Sequence, residues 1–343
     1  MTIDALDAPT KKSGPALQAT DVSNPDYFHK VVDCQWACPA HTPVPEYIRL
    51  IAQGRYADAY MVNWKSNVFP GVLGRTCDRP CEPACRRGRV EAEPVAICRL
   101  KRVAADNKGD VLDRMPAPAA TKNGKRIALI GGGPASLTVA RDLLPLGYHV
   151  VIYDQDPAAG GMMRTQIPKF RLPERVLDEE VGFITSLQPE LRLGKKVDSL
   201  KSVLAEGFDA VFVGSGAPRG RNLELPGRKE AAANIHIGID WLSSVSFGHT
   251  TKIGRRVIVL GGGNTAMDCC RTSRRLGGDD VKVVVRSAFE EMKASPWEKE
   301  DSMREGIPIH NFLVPKEFKH AGGKLTGLRF TDRASGATRE VEL

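Results

Sequence analysis

Two glycine triplets, at 131–133 and 261–263, each lie between a strand-like apolar run and a helix-like pattern, behind six cysteines crowded into residues 34–98. These observations predict an α/β chain with two Rossmann-like dinucleotide-binding domains preceded by a helical cysteine-rich domain. The 343 residues leave room for such cores. Their order divides the chain into an extension over residues 1–24, a cysteine-rich docking domain over 25–116, a first nucleotide domain over 117–235 and a second over 236–343.

Residues 1–24 are polar and small, without apolar periodicity, and read as an extension outside any core. Val44 to Asn63 repeats apolar residues at helical spacing around Gly54, which predicts a helical hairpin. Pro116 to Asn123 (PAPAATKN) is a linker. Strands then alternate with helices. Arg126–Ile130 is a buried strand, Ala135–Leu146 a helix, and His149–Tyr153 a second strand. Ala210–Val213 and Val257–Leu260 follow as strands, Ala266–Leu276 as a helix and Val281–Val285 as a strand.

The first turn, Gly131-Gly132-Gly133-Pro134-Ala135-Ser136, leaves a strand and opens a helix. Glycines let a backbone approach a pyrophosphate, and the helix N-terminus presents N–H groups to it. Asp154, at the end of the next strand, is placed to accept hydrogen bonds from an adenosine ribose. Ser136 stands at the third small position of this turn, a packing position that tolerates it. The second turn is Gly261-Gly262-Gly263-Asn264-Thr265-Ala266. Its following strand ends at Val285-Arg286 without a carboxylate, which suits a 2′-phosphate better than a free ribose hydroxyl and leaves NAD and NADP both open. Two dinucleotides in tandem imply hydride transfer between a nicotinamide and a flavin, a step that needs no acid–base pair; no catalytic residue is assigned.

Composition narrows the partners. Net charge is +8, but the basic residues are dispersed, and aromatics are 6%, too few for a base-stacking platform. A nucleic-acid partner is not expected. The densest basic run, Arg86-Arg87-Gly88-Arg89 through Arg99, Lys101 and Arg102, is either a solvated surface or a docking face for an acidic redox partner. Apolar runs are strand-length, so no membrane span is expected. Residues 1–20 lack a secretory pattern, so a cytoplasmic protein with reduced thiols is expected.

The segments GGGPAS at 131, GGMMRTQIPKFRLP at 160, VGSGAPRGRNLELPG at 213 and GGGNTAMD at 261, in that order, resemble the glutamate synthase small-subunit family of FAD- and NAD(P)H-dependent oxidoreductases. The resemblance covers roughly residues 30 to 320. It implies that Gly131, Gly133, Pro134, Ala135, Ser136 and Asp154 hold FAD, with Gly161, Met162, Arg164 and Arg171 near its pyrophosphate and ring. It implies that Gly261, Gly263, Asn264, Thr265, Asp268 and Arg286 hold the nicotinamide cofactor. Gln166 replaces a glycine often found before Ile-Pro. Glu291–Asp301 resembles versions that accompany tungsten aldehyde oxidoreductases and 2-oxoacid:ferredoxin oxidoreductases. Such members return to the FAD domain with a final strand and a Gly-Gly-Asp motif; after Arg329-Phe330 this chain ends at Leu343 without them, so the natural chain is expected to continue.

Clustered thiols in a helical domain suit iron–sulfur chemistry. The family's two-cluster arrangement needs eight ligands, and Tyr27 to Asp33 lacks the upstream cysteine pair, so at most one [4Fe-4S] cluster is expected. The resemblance implies Cys38, Cys77 and Cys81 as ligands. Its fourth position falls on Lys101, leaving Cys98 as the local substitute. The alternative is a docking domain with thiols only. Zinc is disfavoured, because the spacing lacks paired C-x-x-C knuckles. Cys269 and Cys270 read as buried packing, and His29 and His41 as surface or capping residues. The expected function is an electron-transfer flavoprotein subunit. It would pass hydride between NAD(P)(H) and FAD, and single electrons to or from an iron–sulfur, ferredoxin-like subunit of a larger aldehyde or 2-oxoacid oxidoreductase complex. A glutamate synthase small subunit and a non-catalytic assembly module are the alternatives.

Overall fold

The computed structural model describes residues 32–334 and 338–342. The extension expected over residues 1–24, and His29, lie outside them. The chain divides into two compact units, Met1–Val111 and Leu112–Leu343, so the seam falls a few residues ahead of Pro116 and both nucleotide domains share the second unit.

In the first unit, helices α1 (Asp33–Ala37), α2 (Val44–Ala52), α3 (Tyr56–Asn67), α4 (Pro70–Thr76) and α5 (Ile97–Asp106) carry the cysteines on their ends and connections. The hairpin expected around Gly54 is α2 and α3. Val44, Tyr47 and Leu50 occupy one face of α2 and pack with Ala59, Cys81, Ile97 and Ala104. Tyr47 is fully buried, and its hydroxyl donates to the Ile97 carbonyl at 3.2 Å. His41 stands edge-on to Trp36 at 4.9 Å. The basic run is partly internally neutralised, because Arg86 and Arg89 both reach Asp33 and Arg87 reaches Glu91.

The second unit opens with a parallel sheet of β1 (Arg126–Ile130), β2 (His149–Tyr153), β3 (Glu190–Arg192) and β4 (Ala210–Val213), ordered β3-β2-β1-β4. Helix α6 (Pro134–Leu143) connects β1 to β2. Ala128, Ile130, Val151 and Tyr153 close one face of the sheet with Val203 and Phe208. Helices α7 (Met162–Thr165), α8 (Glu174–Thr185), α9 (Leu200–Leu204) and α10 (Gly238–Ser246) follow.

The second parallel sheet, ordered β5-β6-β7, is made by β5 (Arg256–Leu260), β6 (Asp280–Val284) and β7 (Ile309–His310), with helices α11 (Asn264–Arg275) and α12 (Pro296–Arg304) between strands. Val281, Val283 and Val285 pack with Met267 and Cys270 of α11. A three-stranded antiparallel sheet of β8 (Leu313–Ala321), β9 (Lys324–Asp332) and β10 (Thr338–Glu342) completes the unit. Leu225 and Ile235 pack with Phe318, Leu328 and Phe330 of that sheet, so residues before 235 already belong to the second half's core. Both expected strand–turn–helix–strand units are present. Cys269 and Cys270 are buried as expected, at 6% and 0% exposure.

Candidate functional site

The first turn hangs between two strands. The Gly131 N–H donates to the Tyr153 carbonyl at 2.7 Å, and the Gly214 N–H to the Ile130 carbonyl at 2.8 Å. Gly131 has φ +100°, and a Cβ there would stand 2.6 Å from the Gly214 carbonyl oxygen, so only glycine fits. Gly133 then caps α6, with Pro134 in its first turn. The N–H groups of Ala135 and Ser136 have no acceptor within the helix, which is the donor arrangement that binds a pyrophosphate.

Asp154, just past β2, is buried. Its Oδ2 accepts the Gly132 N–H at 2.5 Å and its Oδ1 the Asp156 N–H at 2.8 Å. It therefore fixes the glycine turn, and each oxygen keeps acceptor capacity for a ribose hydroxyl. The Gly160 N–H donates to the Gly132 carbonyl at 2.8 Å, which lays the 160–164 segment along the turn. Met162, at the start of α7, is 51% exposed. Arg164 is engaged locally, by the Ala159 carbonyl at 2.8 Å and Asp178 at 2.6 Å, and so braces the chain entering Gly160.

Ser136 is fully buried against the end of β4, and its hydroxyl has no hydrogen-bond partner. A buried unsatisfied hydroxyl costs on the order of 1 kcal/mol or more. Ser136→Ala is therefore expected to raise the unfolding free energy by about 1 kcal/mol in urea titration. An unchanged or lower value would show the hydroxyl to be satisfied.

In the second turn, the Gly261 N–H donates to the Val284 carbonyl at 3.1 Å. A strap over residues 292–295 lies against it: the Ala294 N–H donates to the Gly262 carbonyl at 2.9 Å, and the Ser295 N–H to Asn264 Oδ1 at 2.8 Å. Around Gly263 no heavy atom lies within 4 Å of where a Cβ would stand, so its approach is open. Thr265 and Arg286 are exposed, and Arg286 sits just beyond β6.

Asp268 on α11 is 5% exposed. Arg171 donates through Nη1 to both its oxygens at 2.7 Å and through Nη2 to Glu298 at 2.8 Å. Burial pushes Asp268 up to about 6, against the opposing pull of Arg171. Glu298 also takes Arg271 at 2.8 Å, and Arg271 reaches Glu305 at 3.0 Å. Phe170 packs under the Arg275 guanidinium, 3.8 Å from ring centroid to carbon. The family resemblance implies Arg171 beside FAD and Asp268 beside nicotinamide; the structure joins them in one buried ion cluster that ties the 167–172 segment to α11 and α12. Glu298 and Arg271 belong to the same cluster without a sequence signal, because a charge on a helix pattern reads as a solvated face until its partner arrives from elsewhere.

In the first unit, Cys38, Cys77, Cys81 and Cys98 share one neighbourhood. A hydrogen bond from Cys98 holds the Cys77 thiol down at about 6, helped by the Arg79 N–H and Lys101, with burial opposing. Burial pushes Cys81 up to about 11, while Lys101 opposes and Cys77 and Cys38 add. The Leu73 carbonyl, 3.2 Å from Cys98 Sγ, is the other acceptor within reach of that single thiol proton. Cys34 neighbours Cys85, and both pack against the same core cluster as Cys81. The four thiols are suitable donors for a cluster, yet among the described residues no three His, Cys, Asp or Glu side chains are grouped to hold a metal ion. Buried Lys101 supplies a cation in their midst. As folded they form no closed metal cage. For the dinucleotides the fit is better, since the N-terminus of α6 presents N–H groups that the helix leaves unpaired and nothing stands within 4 Å of a Cβ position at Gly263.

Residues 125–341 match the pyridine nucleotide-disulphide oxidoreductase family. The chain belongs to the pyridine nucleotide-disulphide oxidoreductases. FAD and NAD(P) are the cofactors of that family, and its members are NAD(P)H-dependent oxidoreductases. Residues 27–111 match dihydropyrimidine dehydrogenase domain II, a 4Fe-4S cluster domain. The chain is 34% identical over 320 residues to the NADP(+)-dependent formate dehydrogenase subunit beta of Moorella thermoacetica, covering 86% of this chain and 45% of that one. It is 31% identical over 319 residues to the glutamate synthase [NADPH] small chain of Escherichia coli K12, covering 88% and 67% respectively. The small-subunit resemblance read from four motifs is thus upheld. A 2-naphthoyl-CoA reductase structure superposes with a TM-score of 0.54 at 16% identity, over 86% of this oxidoreductase chain and 44% of the other, which supports the fold. No helix among the described residues is long and apolar enough to cross a membrane.

Proposed function

We propose that this chain passes hydride between NADP(H) and FAD and exchanges electrons with an iron–sulfur subunit of a larger oxidoreductase complex. The observation that carries the reading is the pair of strand–glycine–helix turns in one compact unit, with Arg171 tying the 167–172 segment to the helix of the second turn. In this reading the N–H groups of Ala135 and Ser136, beside Gly131, Gly133 and Pro134, hold the FAD pyrophosphate. Asp154 takes the ribose, and Gly161 and Met162 border the flavin. Arg164 and Arg171 position the segment that carries them. Gly261, Gly263, Asn264 and Thr265 receive the second dinucleotide. Asp268 sets the pose of α11 through Arg171. Bound FAD accepts an electron pair as hydride and can release electrons singly.

Arg286, exposed beyond β6 with no carboxylate in the ribose position, supports NADP(H), in line with the NADP(H)-linked names of the two relatives above. The purified chain is expected to be yellow and to reduce an artificial acceptor dye with NADPH in preference to NADH. Colourless protein that neither regains flavin nor oxidises NADPH would overturn the reading. Iron analysis of the same sample separates a domain with one cluster, held by Cys38, Cys77, Cys81 and Cys98, from a domain with thiols only. A glutamate synthase small subunit is the second reading, favoured by the 67% coverage of that relative. Co-purification with a glutamine-dependent partner would select it.

A further inference from the structure

We propose that Arg333 is a second cation of the 2′-phosphate subsite and acts with Arg286 to select NADP(H). The inference rests on the NADP(H) reading above and deepens it. In a dinucleotide-binding unit the adenosine ribose lies at the end of the strand that follows the glycine turn's helix. Here that strand is β6, and Arg286 stands just past it.

Arg333 comes to the same place from the far end of β9. Its Nη1 donates to the Arg286 carbonyl at 3.5 Å. Its own N–H donates to the Phe312 carbonyl at 2.6 Å. Phe312 has φ +61°, a left-handed conformation that a bulky residue rarely adopts and that the hydrogen bonds on either side of it hold in place. The preceding Asn311 donates through Nδ2 to the Ser287 carbonyl at 2.9 Å. Three hydrogen bonds therefore hold the Arg333 turn and the 311–312 corner against Arg286 and Ser287.

The charge balance points the same way. Among the described residues no carboxylate pairs with Arg286 or Arg333. The adjoining Asp332 accepts the Ala334 N–H at 3.0 Å through Oδ1. Both side chains are exposed, and a dianion bound between them would offset their like charge. A phosphate monoester carries about −1.5 to −2 charges at pH 7 and matches the planar guanidinium fork. Sequence alone gives no signal for this pairing, because the two arginines lie 47 positions apart and on different sheets.

Calorimetric titration of the full chain with adenosine 2′,5′-bisphosphate and with 5′-AMP tests the proposal without a need for bound flavin. The wild type is expected to prefer the bisphosphate. Arg333→Met is expected to weaken bisphosphate binding about ten-fold while leaving 5′-AMP unchanged. Arg333→Lys should recover part of the loss, and Arg286→Met serves as the benchmark. Loss in Arg286→Met with full retention in Arg333→Met overturns the role of Arg333 and spares the NADP(H) reading. An equal loss of both ligands in Arg333→Met shows a merely structural role and also overturns it. A wild type with no preference overturns both readings.

Discussion

Alanine at Gly161 is expected to leave the purified protein without flavin. Gly161 has φ +51°, and a Cβ at this position would stand 2.6 Å from the Gly133 Cα, a backbone atom of the first turn. Relief requires the 160–164 segment to move away, which breaks the Gly160–Gly132 hydrogen bond that positions it. The displaced backbone is the one that borders the proposed flavin site, so FAD affinity should fall by about 100-fold or more, roughly 2.7 kcal/mol. Gly182→Ala is the control. It lies on α8 with no heavy atom within 4 Å of the added carbon, and should retain flavin while gaining up to about 1 kcal/mol of helix propensity. Visible flavin absorbance relative to protein absorbance reads both variants. Stoichiometric flavin in Gly161→Ala would separate the glycine contact from cofactor binding.

Arg171→Met should produce the largest loss of stability among single changes in the second unit. The Asp268 and Glu298 side chains are 7% and 5% exposed, and Arg171 bridges them. Removing one partner of a buried ion pair costs about 3–5 kcal/mol, because the remaining charge is buried without compensation. Glu298 retains Arg271, so the loss falls mainly on Asp268. Arg171→Met combined with Asp268→Asn should recover part of it. The pH dependence follows from the same group. Burial raises the Asp268 carboxyl from 3.8 to about 6, so the folded chain binds its proton more tightly than the unfolded chain. Its contribution is most favourable below about pH 4, declines as pH rises towards 6, and is level above that. Urea titrations across this range should show the decline in the wild type and not in Asp268→Asn. A parallel slope in both would assign it to another group.

Local signals made much of this fold legible. Strand, glycine and helix follow one another within a dozen residues at each turn, so periodicity and turn chemistry agree without tertiary information. The Gly54 break between α2 and α3 was readable for the same reason. The antiparallel sheet was readable in principle, since Gly322-Gly323 joins β8 and β9 with both residues at positive φ, a pattern that fits a tight hairpin. Its strands mix polar and apolar residues and so carry a weaker signal than the continuous apolar runs of the parallel strands. Pairings across large sequence distances were not readable. Arg171 meets Asp268 across 97 positions, and nothing in either local sequence favours that partner over a phosphate. The thiols sit between these cases: their spacing announced a group, but only the fold set Cys34 beside Cys85.

The distribution of sulfur gives each unit its own unfolding reporter. Six thiols lie in the first unit, while Cys269 and Cys270 alone stand in the second, both sealed behind α11 with burial holding them well above the usual thiol range. A slow alkylating reagent would therefore mark the part-exposed Cys34, Cys38, Cys77 and Cys85 from the native state, and buried Cys81 and Cys98 only as the first unit opens. Cys269 and Cys270 would become reactive only when the hydrophobic layer beneath the second glycine turn comes apart, so a mass count of labels over time would date the opening of each unit separately.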